Sequence, residues 1–306
     1  MIWAITSYFN PAGYLSRLPN YKAFRSKLAV PLVAVELSFT GKFELGLEDA
    51  DILVQIAGGD VLWQKERLLN LALASLPADC DYVAWIDGDV VFLNPDWPAQ
   101  AAAALDEFSM IHLYGESCNL APGARPGPGA GLCVPLCESV ARKIRSGTVE
   151  PSDLYNTKFP LLRKSSVGLA WAMRRDVLAG HRLYDACILG SGDRAIVCAG
   201  LGKFDYGIAA VGMRGRQIEH YLAWARPFSD AVRGNIGYID GRICHLWHGD
   251  LMNRRYSLRH EGLAPFGFDP FSDILIDPNG CWRWNGNKTE MHEYVRGYFE
   301  SRKEDG

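Results

Sequence analysis

The 306-residue chain is 48% hydrophobic and 22% charged, with 31 Gly and 16 Pro, a balance that supports a large buried core and excludes disordered, collagen-like and coiled-coil chains. Its 32 Lys and Arg nearly offset 35 Asp and Glu, for a net charge of −3. No global field draws it to nucleic acid or anionic lipid, so an anionic ligand must be held locally. No stretch approaches a membrane span, and the eight scattered cysteines, with no CxxC pair, read as reduced structural thiols in a cytoplasm.

In chain order, "MIWAITSYFNP" lacks a basic leader and reads as a first buried strand. "LAVPLVAVELSF" and "DILVQIA" follow as strands, then a helix from about Leu62 to Leu76, then the strand "DYVAWIDGDVVF". In that helix Leu62, Leu69, Leu73 and Leu76 recur at helical spacing while Lys65, Glu66 and Arg67 fall elsewhere, which predicts an apolar stripe with a charged outer face. Strands alternating with helices predict an α/β fold with a mostly parallel twisted sheet flanked by helices. The stretch Ala121 to Gly131 is too rich in Gly and Pro for regular structure and reads as a loop, either a lid or a linker. "SVGLAWAM" is a further buried strand, "RRDVL" a helix start, and "LGSGD" a turn opening the helix "RAIVCAGLG". The tail predicts a hairpin turned at Asp277-Pro278-Asn279-Gly280 and a terminal helix from about Lys288. Residues 1–268 read as one domain, with 269–306 as a hairpin and helix packed on it. The last residues, "YFESRKEDG", read as a solvated helix end.

Open parallel sheets place ligand groups beyond the carboxyl ends of their strands, and Asp87-Gly88-Asp89 stands at such an end. Two carboxylates there suit a hard divalent cation, although the same triplet is also the composition of a surface turn. In "HLWHGD", His245 and His248 offer imidazoles to a borderline ion provided the backbone turns between them; a core or surface histidine is the alternative. "NRRYSLRH" follows, with Arg254, Arg255 and Arg259 as guanidinium forks for phosphate or sugar hydroxyls, or as a solvated helix face. Asp193 is either the N-cap of its helix or a carboxylate base for an incoming hydroxyl. Lys65 is a helix-face lysine or a phosphate contact. Of the tryptophans, the "WRWNG" pair, Trp282 and Trp284, is the one expected to be exposed.

Taken in order, "WQKERLLN", "YVAWIDGDVVFLN", "VGLAWAMRRDVL" with "LGSGDRAI", and "HLWHGDLMNRR" resemble the metal-dependent nucleotide-sugar glycosyltransferases of GT-A fold, in particular the β-1,4-galactosyltransferase-like branch. The matches span Trp3 to Tyr256 as islands. The resemblance implies a UDP-sugar donor, Mn²⁺ or Mg²⁺ at its diphosphate, a saccharide or glycoconjugate acceptor, and inverting transfer. It implies Asp89 as the direct metal ligand with Asp87 beside it, His248 or His245 as the second, Lys65 with Arg254 and Arg255 on the diphosphate, and Asp193 as the base. Where the family's turn reads Gly-Gly-Glu-Asp, this chain has Gly192 in place of the Glu. Three other classes compete, of which a metal-dependent phosphodiesterase is disfavoured because two-metal sites usually need more carboxylates than are clustered here. Nucleotidyl transfer to a sugar phosphate lacks its Gly-rich first loop here, since "ITSYFNPAGYLSR" has one Gly, and a non-catalytic sugar-binding module leaves the carboxylates and histidines unexplained.

Overall fold

The computed structural model describes residues 1–127, 136–148, 165–256 and 258–306. A seven-stranded sheet forms the centre, from β1 (Ile2–Phe9), β2 (Leu32–Ser38), β3 (Ile52–Ala57), β4 (Tyr82–Ile86), β6 (Met110–His112), β10 (Ala170–Arg174) and β11 (Ile236–Tyr238), in the order β11-β6-β10-β4-β1-β2-β3. Only β10 runs antiparallel to its neighbours, so the expected mostly parallel sheet is observed. A second sheet, in the order β5-β12-β7-β8-β9, joins β5 (Val90–Phe92), β7 (Glu116–Asn119), β8 (Leu136–Ser139), β9 (Ser165–Ser166) and β12 (Arg242–His245). The tail forms the hairpin β13 (Ile274–Ile276) and β14 (Trp282–Trp284), closed where the Gly280 N–H donates to the Asp277 carbonyl at 2.9 Å.

The helices are α1 (Arg17–Lys27), α2 (Lys65–Ala74), α3 (Trp97–Glu107), α4 (Val140–Arg145), α5 (Arg175–His181), α6 (Gly192–Gly200), α7 (Phe204–Val211), α8 (Arg216–Val232), α9 (Leu258–Leu263) and α10 (Thr289–Ser301). Alternate strand residues serve the two faces of the central sheet, because side chains on a strand point to opposite sides. Val83 and Trp85 of β4 join one core with Leu68 and Leu69 of α2, Ile196 of α6 and Phe228 of α8. Ala84 and Ile86 join the other with Tyr21 and Phe24 of α1 and Trp97 of α3. A sheet dry on both faces explains why its strands read as continuous apolar runs.

Several boundaries and environments differ from expectation. The second strand starts at Leu32, after Pro31, and the fourth splits at Asp87: β4 stays in the central sheet and β5 crosses to the second. Helix α2 starts at Lys65, and Lys65, Glu66 and Arg67 are buried rather than solvated. The hairpin covers Arg67, whose Nε donates to the Gly280 carbonyl and whose NH1 meets Asp185 at 3.2 Å, while Lys65 faces Asp87 and Asp193 and Glu66 faces Gly192. Trp282 is buried, and Trp284 stacks on His292 with centroids 4.2 Å apart, so neither is a free sugar platform. Arg302 and Glu304 are buried as well, although Lys303, Asp305 and Gly306 are exposed. Glu304 is 1% exposed and lies between Arg17 and Arg302, at 2.7 and 2.6 Å, while Asp305 accepts from the Leu15 and Ser16 amides just ahead of α1. An anion at a helix N-terminus meets the orphan amides and the positive end of the dipole. Cys80, Cys187, Cys244 and Cys281 are free thiols. Cys118 is disulfide-bonded, which corrects the reading of every cysteine as reduced. Residues 128–131 of the expected loop lie outside the described residues. Among the described residues no helix is long and apolar enough to cross a membrane.

Candidate active site

Asp87 follows the last residue of β4, and its N–H donates to the Leu169 carbonyl at 2.8 Å. The chain then turns through Gly88 so that Asp89 enters the second sheet. There β5 pairs antiparallel with β12, Val90 opposite His245, and the Leu246 N–H donates to the Asp89 carbonyl at 2.8 Å. This register brings His245 to Asp89. Beyond β12 the backbone leaves the strand, which lets a second imidazole three residues on face the same point. Gly249 permits that turn: with φ +87, an added Cβ would lie 2.6 Å from the Lys303 carbonyl.

Asp89, His245 and His248 therefore form one cluster, each offering a ligand atom, all within 4.8 Å of one another. His245 Nε2 is 3.4 Å from Asp89 Oδ1 and His248 Nε2 is 3.6 Å from Oδ2. The far nitrogens are engaged: His245 Nδ1 lies 2.8 Å from Asn119 Oδ1, its parallel neighbour on β7, and His248 Nδ1 lies 2.8 Å from the Leu246 carbonyl. Both acceptors call for a proton on Nδ1, which leaves the Nε2 lone pairs aimed at the cluster, as outer hydrogen bonds commonly orient metal-bound imidazoles. Burial and then Arg254 lower His248 well below the usual histidine range, so its ring is neutral. Asp89 Oδ1 is buried without a hydrogen-bond donor. One carboxylate and two imidazoles held by their far nitrogens fit a borderline divalent cation.

Lys65, at the start of α2, joins two carboxylates. Its Nζ is 2.6 Å from Asp87 Oδ1 and 2.9 Å from Asp193 Oδ2. Burial works against this ammonium, but the Asp193 and Asp87 charges outweigh it and raise Lys65 well above the usual lysine range. Burial pushes Asp87 up to about 6 despite Lys65. Asp87 thus sits with Lys65 rather than in the cluster around Asp89. Asp193 is the second residue of α6, with its carboxylate on Lys65.

The space of the missing Glu side chain at Gly192 is taken by Glu66. A Cβ on Gly192 would lie 2.2 Å from Glu66 Oε1. Glu66 is 2% exposed, and burial pushes it up to about 8, so this carboxyl is protonated at neutral pH.

All of these groups except Glu66 line one cavity of about 1220 Å³. Arg254 lines it too and donates to the His248 carbonyl at 3.3 Å; Arg255 lines it and is exposed. Thus Lys65, Asp87, Asp89, Asp193, His245, His248, Arg254 and Arg255, spread over 191 positions, meet in one place. Sequence reasoning missed Arg17, Arg302 and Glu304, which also line the cavity, and the Asn119 and Glu66 supports. The cross-strand offset of Asn119 from His245 leaves no local signal. Arg17 stands ahead of a helical pattern and gave no hint of its partner 287 residues away.

No family pattern matches the chain, and no curated protein matches it. Among solved structures it is similar to the TarS 1–349 fragment of S. aureus in complex with UDP-GlcNAc, at 12% identity and a TM-score of 0.42, covering 80% of this chain and 58% of that one. It is also similar to glucosyl-3-phosphoglycerate synthase of Mycobacterium tuberculosis. In complex with Mn²⁺, UDP and phosphoglyceric acid the identity is 12% and the TM-score 0.41, covering 90% and 81%. In complex with Mn²⁺, UDP-glucose and phosphoglyceric acid these are 13% and 0.42, covering 94% and 87%.

Proposed function

We propose that this protein is a glycosyltransferase that moves a sugar from a nucleoside-diphosphate donor, a UDP-sugar, to an acceptor hydroxyl with inversion. The observation that carries the reading is the adjacency, in one cavity, of the Asp89, His245 and His248 cluster and the Lys65 and Asp193 pair. The first would hold Mn²⁺ or Mg²⁺; the second supplies a fixed cation and a carboxylate. The order of these groups along the chain, with the motifs around them, supports the β-1,4-galactosyltransferase-like branch.

When bound, the cation would neutralise charge that builds on the departing diphosphate. Lys65 adds a second positive charge, held in place by Asp87, and Arg254 and Arg255 extend it along the cavity. Asp193 takes the proton of the attacking hydroxyl. Its contact with Lys65 at 2.9 Å fixes its position, and a positioned base of this kind contributes ~10²–10⁴-fold. Direct attack on the face away from the diphosphate gives inversion.

Thermal unfolding with UDP, GDP, CDP and ADP, each with and without Mn²⁺, tests the reading, because a ligand of the native state raises the midpoint. A rise with UDP that requires Mn²⁺ and disappears in Asp89→Asn is expected, together with UDP release when donor sugar and acceptor are supplied. Absence of a metal-dependent rise with every nucleotide would overturn the donor assignment; binding without UDP release would make the chain a sugar-binding module.

A further inference from the structure

Two residues before Asp193, Ser191 occupies the left-handed region, with φ +75, and its hydroxyl meets two buried side chains of α9. Arg259 is 4% exposed and His260 is 7% exposed. Burial, then Arg259 and Arg194, lowers His260 to about 3, so the ring is neutral. Ser191 Oγ lies 2.9 Å from His260 Nε2 and accepts from Arg259 NH2 at 2.7 Å. Arg259 Nε also donates to His260 Nε2, at 3.4 Å, so that nitrogen carries no proton and the Ser191 hydroxyl donates to it.

A guanidinium carries five N–H groups. In Arg259, Nε leans on His260 Nε2 at 3.4 Å, NH1 donates to the Tyr298 hydroxyl, and NH2 donates to Ser191. None of the three partners is a carboxylate, and among the described residues Arg259 forms no ion pair with one. A buried cation without a counter-charge is expensive to maintain. Two of its N–H groups remain, and the side chain lines the cavity. Arg194, Arg214 and Arg255 line the same cavity, also without an ion pair among the described residues. The acids nearby do not answer this charge: Asp193 is engaged by Lys65, and Glu261 is exposed. The leading amides of α6, a nine-residue helix, add their positive end.

We propose that Arg259, with Ser191 and His260, binds an anionic group of the acceptor, a phosphate monoester or a carboxylate lying within a few bonds of the hydroxyl that receives the sugar. The closeness follows from the chain, since Cα atoms two residues apart are separated by at most about 7 Å, and Asp193 is two residues from Ser191. The Ser191 hydroxyl rotates from His260 to the anion, and the remaining N–H groups of Arg259 supply the fork that suits two oxygens of phosphate or carboxylate. Naming the ligand an acceptor rests on the glycosyl-transfer reading; the anion site itself does not.

The test is thermal unfolding of the full chain over a concentration series of inorganic phosphate and, separately, of acetate, without divalent metal. One of the two is expected to give a saturable rise that persists in Asp89→Asn and whose apparent Kd weakens about tenfold or more in Arg259→Gln, as loss of a charge-assisted fork implies. The anion that acts identifies the group. Arg259→Lys keeps the charge without the fork and is expected to weaken binding several-fold; it decides the matter if Arg259→Gln does not fold. The rise with UDP and Mn²⁺ should survive in both variants, showing that the fold and the donor site are intact. No rise with either anion, a rise unchanged in both Arg259 variants, or a rise abolished by Asp89→Asn would overturn the proposal. A phosphate rise that depends on Arg259, in a protein that shows none with UDP and Mn²⁺, would uphold the anion site and sink the glycosyl-transfer reading instead.

Discussion

Replacing Glu304 with Gln should destabilise the protein by about 3 kcal/mol at neutral pH. Burial alone would raise this carboxyl, but Arg17 and Arg302 overcome it and lower it from 4.5 to about 2. Each tenfold change in proton affinity is worth about 1.4 kcal/mol, so this lowering corresponds to about 3 kcal/mol held by the charged form in the folded state. A second route gives a similar figure: removing one partner of a buried ion pair costs about 3–5 kcal/mol, because the other charge is left uncompensated. Here the stranded group is Arg302, whose side chain is 4% exposed. Because the folded-state value is the depressed one, the contribution is complete above 4.5 and drains away as pH falls toward 2. Urea unfolding followed by the fluorescence of the nine tryptophans should therefore show a wild-type advantage of about 3 kcal/mol at pH 7, shrinking to less than about half of that at pH 3. In a chain of this size the neutral-pH loss corresponds to a midpoint lower by roughly 6 °C. A gap under about 1 kcal/mol at pH 7, or one of equal size at both pH values, would refute the assignment of Glu304 as the charge that holds Arg17 and Arg302.

Asp193→Asn should leave the UDP and Mn²⁺ stabilisation unchanged and slow transfer by ~10²–10⁴-fold; near wild-type turnover in a UDP-release assay would remove Asp193 as the base. Asn119→Ala should weaken Mn²⁺ binding by about 10–100-fold in calorimetric titration, because His245 loses the partner that sets its tautomer; unchanged affinity would mean the ring is oriented by other contacts. Gly192→Ala should cost about 1–3 kcal/mol by overpacking against the Glu66 carboxyl, and adding Glu66→Ala should recover part of it; additive losses in denaturant titration would place the strain elsewhere.

Much of the site was legible because its members stand at strand ends and helix starts. The apolar run "YVAWI" before Asp87 marked a buried strand, and the turn before α6 marked Asp193. Residues whose partners are distant in sequence were misread. Lys65, Glu66 and Arg67 look like a wet helix face by periodicity, but that reading assumes a helix with a single covered side. Helix α2 lies under the C-terminal hairpin, and its charges turn inward to Asp87, Asp193 and Asp185. Arg302 and Glu304 look like a solvated terminus for the same reason: an ion pair across the whole chain leaves no trace in composition or spacing. Trp282 reads as exposed beside charged and polar neighbours until the Gln64 side chain and the Asp185 carbonyl are found holding it.

The joining of Tyr14 to Arg17 with the last residues also orders events during synthesis. Arg17 emerges from the ribosome early, and its counter-ion follows 287 residues later. At about 5–20 residues per second that interval is roughly 15–60 s. Throughout it, the stretch of cavity wall beside Asp89 and His248 lacks the segment that closes it. Arg302 and Glu304 line the cavity, so a chain that stops short of Glu304 would carry most of the core and lack that part of the cavity wall.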